Sequence, residues 1–127
     1  MLINPKLRKN FDNTENEERT TAELDAFWDK PFAVTNDDGT LDVYCLDGGA
    51  WDRSTCYGRA PNLAAAELLG ETKLAKWKQL RAQPIQIPSD DGKISIVRMP
   101  QRPDREHEVL KVCDSQADAT AFLSSLK

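Results

Sequence analysis

Histidine occurs once in these 127 residues, and the three cysteines show no Cys-x-x-Cys spacing. An odd cysteine number without paired spacing excludes a disulfide framework and a zinc knuckle as the basis of the fold. Cys45, Cys56 and Cys113 fall in apolar, strand-like patterns, where a free cysteine acts as a small hydrophobe. No apolar run approaches the roughly 18 residues that a membrane helix needs. The opening Met-Leu-Ile-Asn-Pro-Lys-Leu-Arg-Lys-Asn has neither the apolar stretch nor the small-residue cleavage site of a secretory leader. The expected location is cytoplasmic, with no membrane contact. A basic excess is missing too: residues 1–50 carry 5 basic and 11 acidic side chains, and residues 51–127 carry 12 and 10. That balance argues against a whole-surface nucleic-acid footprint and leaves room for a local basic patch.

Catalytic signatures are equally scarce. The chain has no phosphate-cradling glycine loop, nucleophile elbow or dinucleotide fingerprint. His107 lies in the charged segment Asp104-Arg105-Glu106-His107-Glu108, and in an extended segment the flanking glutamates leave on the face opposite its ring. The pairs Asp37-Asp38-Gly39 and Asp90-Asp91-Gly92 lack the twelve-residue loop of a calcium hand and read as turns. The sequence therefore implies no catalytic residue, no metal site and no cofactor, and the expected class is a non-catalytic binding or accessory protein.

What is present describes an ordinary globular chain, with 39% apolar and 30% charged residues. Residues 1–19 are polar, with Glu15, Glu17 and Glu18 clustered, and read as an arm with little to bury. Residues 20–127 read as one α+β domain. Thr20 and Glu23 have capping-box spacing before Leu24, Phe27 and Trp28, which share one helical face, and Lys30-Pro31 ends that helix. The period then switches to two. Phe32 and Val34, an Asp38-Gly39 turn, then Leu41, Val43 and Cys45 predict a hairpin. A two-residue turn sets Val34 opposite Val43 and Phe32 opposite Cys45. Gly48-Gly49 sends residues 51–57 back as a third strand, with Cys56 across from Leu41. Asn62 caps a helix with Leu63, Ala66 and Leu69 on its apolar stripe, which Gly70 either ends or interrupts. A second helical stretch carries Leu74, Trp77 and Leu80.

The second half repeats this order: Ile85 and Ile87, an Asp91-Gly92 turn, Ile94 and Ile96, a strand over 108–113, and a helix opened by Ser115 and Asp118 with Ala119, Phe122, Leu123 and Leu126 inward. Residues 32–70 align on 85–123 without a gap, with five identities in 39 positions. This is either an internal repeat or shared hairpin grammar. The expected fold class is α+β: antiparallel sheet in two β-β-β-α-like halves, helices on one face, and a short N-terminal helix.

In the expected register Tyr44, Leu46, Trp51, Arg53 and Tyr57 share the second face of the first sheet. Aromatics interleaved with arginine suit a protein partner or stacked bases. Tyr44, Trp51, Arg53 and Tyr57 are the candidate partner-binding residues, the partner being another protein or a second copy of the chain. The alternative is that Phe27 and Trp28 cover this face as a small core. A nucleic-acid role would combine the same face with Lys73, Lys76, Lys78 and Arg81. Helix-turn-helix character around Gly70 fails, since Glu71 and Lys76 stand where apolar residues are needed.

Overall fold

The two Asp-Asp-Gly segments set the register of the fold. In the computed structural model, which describes residues 1–126, Asn36 N–H donates to Thr40 O at 2.7 Å and Gly39 N–H to Asn36 O at 3.0 Å. The loop is thus Asp37-Asp38-Gly39, three residues long, with Gly39 at φ 85° as the left-handed residue that closes such a turn. Asp38 Oδ1 locks it by accepting from Thr40 N–H and Oγ at 3.0 and 2.6 Å. Ser89–Lys93 repeats the loop: Ser89 N–H donates to Lys93 O, Gly92 N–H to Ser89 O, and Asp91 Oδ1 accepts from Lys93 N–H and from the Ser89 hydroxyl.

One extra loop residue shifts the pairing by one, which sends every side chain of a strand to the other face. Strand β2 (Phe32–Thr35) pairs with β3 (Leu41–Ala50) as Phe32 to Tyr44 and Ala33 to Val43. The expected pairs Val34–Val43 and Phe32–Cys45 are corrected accordingly, and so is the expectation that Phe32 shares the face of Leu41 and Val43. Strand β4 (Arg53–Ala60) pairs antiparallel with β3, and Leu41 lies opposite Ala60, not Cys56. Between the pairs Val43–Gly58 and Tyr44–Cys56, Tyr57 is an extra residue that forms a β-bulge. Leu2–Ile3 (β1) joins β2 in parallel, giving the order β1-β2-β3-β4.

One face of this sheet carries Ala33, Leu41, Val43 and Ala60 and packs on Ala66 of helix α2 (Leu63–Arg81). The N-terminal segment packs on part of the other: Leu46 is buried with Phe11, Leu24 and Trp28, while Val34, Cys56 and Arg59 stay exposed. Helix α1 (Thr21–Phe27) starts at the expected cap, Thr20 Oγ accepting from Glu23 N–H at 3.1 Å. The reading of residues 1–19 as an arm with little to bury is corrected. Phe11 and Arg19 are buried, because the sheet's second face would otherwise stand bare. α2 is one continuous helix in place of the two stretches expected. An added Cβ at Gly70 would lie 3.0 Å from Pro31 Cβ, so glycine there serves close approach.

The chain divides into two compact units, residues 1–78 and residue 79 onward, where one domain over 20–127 was expected. The second unit pairs β5 (Ile85–Pro88), β6 (Ile94–Arg98) and β7 (Glu108–Cys113) antiparallel in that order, with α3 (Gln116–Ser125) following. Ile96, Cys113 and Ala119 form its buried centre, with Leu110, Phe122 and Leu123 around them, while Leu126 is exposed.

The 53-residue offset holds in detail. It takes β2 onto β5, the starts of β3 and α2 onto those of β6 and α3, and the end of β4 onto the end of β7. It takes Leu41–Ala60 onto Ile94–Cys113 and Val43–Gly58 onto Ile96–Lys111. The bulge residue Tyr57 falls on Leu110, the extra residue between Ile96–Lys111 and Val97–Val109. The caps match as well, Asn62 Oδ1 accepting from Ala65 N–H and Ser115 Oγ from Asp118 N–H. Among the described residues the architecture is α+β, with two mostly antiparallel sheets and three α-helices. Among the described residues no helix is long and apolar enough to cross a membrane.

Candidate interaction site at the β3–β4 tip

The β3–β4 hairpin runs past its regular pairing into an irregular tip over residues 46–53, and two charged side chains hold that tip from opposite sides. Asp47 is buried. Its Oδ1 accepts from Gly49 N–H at 2.8 Å and from Thr55 Oγ at 2.6 Å, and its Oδ2 from the Tyr57 hydroxyl at 2.6 Å. Trp77 Nε1–H donates to Asp47 O at 2.8 Å. A buried carboxylate is tolerable when its lone pairs are met by donors, as these are. Burial, reinforced by the hydrogen bond to Asp47, pushes the Tyr57 phenol well above its ordinary value of 10, so it stays a donor at every physiological pH.

Arg19 holds the other side. Its side chain is fully buried and lies 4.6 Å from the Phe11 ring centroid. Nη2 donates to Phe11 O at 2.7 Å and to Asp52 O at 2.8 Å, and Nη1 reaches Glu23 Oε1 at 3.2 Å. Burial lowers its pKa from the usual 12.5, while Glu23 acts in the opposite sense, and the guanidinium remains charged. Asn16 adds two clamps, its N–H to Asp52 Oδ1 and its Nδ2 to Trp51 O, both at 2.9 Å. Asp12 Oδ1 takes Ser54 N–H and Oγ at 2.9 and 2.8 Å.

The residue fixed by these clamps is Trp51. Its φ is 60°, a left-handed conformation that a bulky residue rarely adopts. The residue is 84% exposed, the most exposed of the large apolar residues described. Beside it opens a cleft of about 690 Å3 between Asp12–Glu15 and Gly49–Arg53. The surface thus offers an indole, the Arg53 guanidinium and the Glu15 carboxylate on a backbone already held in place.

The four residues expected to form one aromatic face do not come together. Tyr44 stacks on Phe32 with ring centroids 5.6 Å apart, and Phe32 meets the edge of Phe27. The N-terminal segment packs over Phe32 and Leu46 on that face and leaves Cys56 exposed. Tyr57 lies on the opposite face with Val43, Ala65 and Leu69, since the bulge resets the alternation at this residue. Only Trp51 and Arg53 remain neighbours, at the tip. Lys73, Lys76 and Lys78 are exposed, but Lys78 stands about 140° around the helix from Lys73 at roughly 100° per residue, so the three form no single stripe. Arg81 is half-buried and donates from Nε to Gln101 Oε1 at 2.9 Å.

Sequence reasoning missed Arg19 and Asp47. The only signal for Arg19 was a lone basic residue between an acidic cluster and a helix cap; Asp47 continues the buried row of Leu41, Val43 and Cys45, and its donors Gly49, Thr55 and Tyr57 are met only in the folded hairpin. Among the described residues no three His, Cys, Asp or Glu side chains gather as a metal-holding group. Compared with known protein families, curated proteins and solved structures, the chain finds no match.

Proposed function

We propose that this chain is a non-catalytic binding protein that engages a protein partner through the β3–β4 tip, with Trp51 as the anchor and Arg53 and Glu15 as flanking polar contacts. The observation that carries this reading is an 84%-exposed tryptophan on backbone clamped by Asn16, Arg19 and Asp52. A backbone already held in place loses little conformational freedom on docking, so the indole pays only its own ordering. Tryptophan and arginine are also the residue types that dominate binding hot spots. The first sheet favours this over base stacking, because its aromatic residues are already engaged: Tyr57 packs on the α2 side and Tyr44 stacks on Phe32.

The test compares affinity captures with wild-type, Trp51→Ala and Arg53→Ala proteins as bait. A partner held through the tip is retained by wild type, is lost or falls at least tenfold with Trp51→Ala, and falls less with Arg53→Ala. Equal recovery on all three baits refutes the assignment. Concentration-dependent sedimentation of the wild type, abolished by Trp51→Ala, identifies the partner as a second copy.

A further inference from the structure

The cleft beside Trp51 has a charge of its own. Asp12, Glu15 and Asp52 line it, and Arg53 is the one cation among its lining residues. Arg19 lies beneath, but its side chain is fully buried and paired with Glu23, so it offers the cleft no donor. Each lining aspartate commits one carboxylate oxygen to the fold: Asp12 Oδ1 accepts from Ser54, and Asp52 Oδ1 from the Asn16 N–H. Their Oδ2 atoms and both Glu15 oxygens hold no hydrogen bond or ion pair among the described residues. An indole that is 84% exposed thus shares a cleft with three carboxylates whose remaining oxygens are open.

We infer that the partner docks a basic segment here, laying a lysine or arginine side chain against the Trp51 indole in the cleft lined by Asp12, Glu15 and Asp52. The inference rests on the tip being the contact surface and names the chemistry of what it contacts. A cation over an aromatic face is attracted by the ring quadrupole, and tryptophan is the strongest of the aromatic residues in this respect. The surrounding carboxylates draw cations toward the ring and repel phosphates and acidic side chains, which disfavours nucleic acid as the occupant. Arg53 at the rim leaves room for one acidic neighbour within an otherwise basic segment. The combination is not a by-product of the repeated hairpin. At the 53-residue offset Asp104 stands in place of Trp51 and Arg105 in place of Asp52, so the second unit carries neither the indole nor the same charge.

The probe is a capped peptide of glycine alternating with lysine and arginine, titrated into the 15N-labelled full chain, with the glutamate counterpart as control. Docking gives saturable shifts at the Trp51 indole N–H and at amides 12–15 and 49–53, and affinity falls at least about threefold from roughly 20 to 200 mM salt. Trp51→Ala and, separately, Asp12→Asn/Glu15→Gln/Asp52→Asn each weaken binding at least about fivefold. The triple variant keeps the Oδ1 acceptors for Ser54 and Asn16; Glu15→Lys replaces it if spectral dispersion is lost. The loops holding Asp37-Asp38 and Asp90-Asp91 are internal controls, acidic pairs without an aromatic residue beside them in the loop. No shift at millimolar basic peptide, shifts of equal size at those loops, or equal affinity for the glutamate peptide overturns the inference. Its failure is separable from that of the tip reading. A captured partner that is lost with Trp51→Ala but fully retained by the triple variant keeps the tip and refutes the basic segment, whereas equal recovery on every bait removes both.

Discussion

Replacing Arg19 by methionine removes the clamp between the N-terminal segment and the β3–β4 tip while keeping much of the side-chain volume. Two short charge-assisted bonds disappear, to Phe11 O and Asp52 O, each worth about 1.5–3 kcal/mol. Glu23 is not orphaned, because Arg8 holds its Oε2 at 3.0 Å. Relief from burying a guanidinium offsets part of the loss. The net expectation is about 3 kcal/mol for the first unit. Trp28, Trp51 and Trp77 all lie in that unit, so tryptophan fluorescence in urea reports on it selectively. With m near roughly 1.5 kcal/mol/M the midpoint falls by about 2 M. A fall under about 0.3 M with m unchanged would show that the N-terminal segment does not hold the first sheet.

Four further outcomes follow from the same geometry. Asp47→Ala leaves the Gly49, Thr55 and Tyr57 donors without their carboxylate and destabilises the first unit by about 3–5 kcal/mol in thermal melts, whereas Tyr57→Phe, which removes one donor, costs about 1 kcal/mol. Gly70→Ala gains up to about 1 kcal/mol in helix propensity and still lowers the melting temperature, because Pro31 Cβ stands 3.0 Å from the new methyl. Hydrogen bonds from the Thr40 and Ser89 hydroxyls hold Asp38 and Asp91 below the ordinary carboxylate value of 3.8. Their stabilisation is present above that pH and disappears as pH falls through the lowered values. Asp38→Asn with Asp91→Asn therefore flattens the drop in melting temperature between roughly pH 4 and pH 2. Trp51→Gly relieves the positive φ without removing a buried contact, and its melting temperature is unchanged or higher.

The local elements were legible in the sequence where the signal is short-range. The caps at Thr20, Asn62 and Ser115 stand at the expected residues because capping needs only a side-chain oxygen three residues ahead of an N–H. The registers were not, since Asp-Asp-Gly closes a two- or a three-residue loop and the choice inverts the strand faces. The bulges at Tyr57 and Leu110 leave no local mark, because they appear only in the pairing with a distant strand. Phe11 looked like a lone aromatic in a polar arm; its burial follows from a sheet face that only the folded hairpin creates. Of the candidate site, Trp51 and Arg53 were legible through composition alone, and the clamp that makes the tip rigid depends on contacts such as that of Arg19 with Asp52, 33 positions apart.

The central claim is that the tip presents its tryptophan from a fixed backbone, and 15N relaxation of Trp51 tests it most directly. A clamped tip gives the Trp51 and Asp52 amides order parameters near roughly 0.85, like those of β3, together with an indole open to acrylamide quenching. Values below about 0.6 at these two amides would describe a floppy loop and contradict the account.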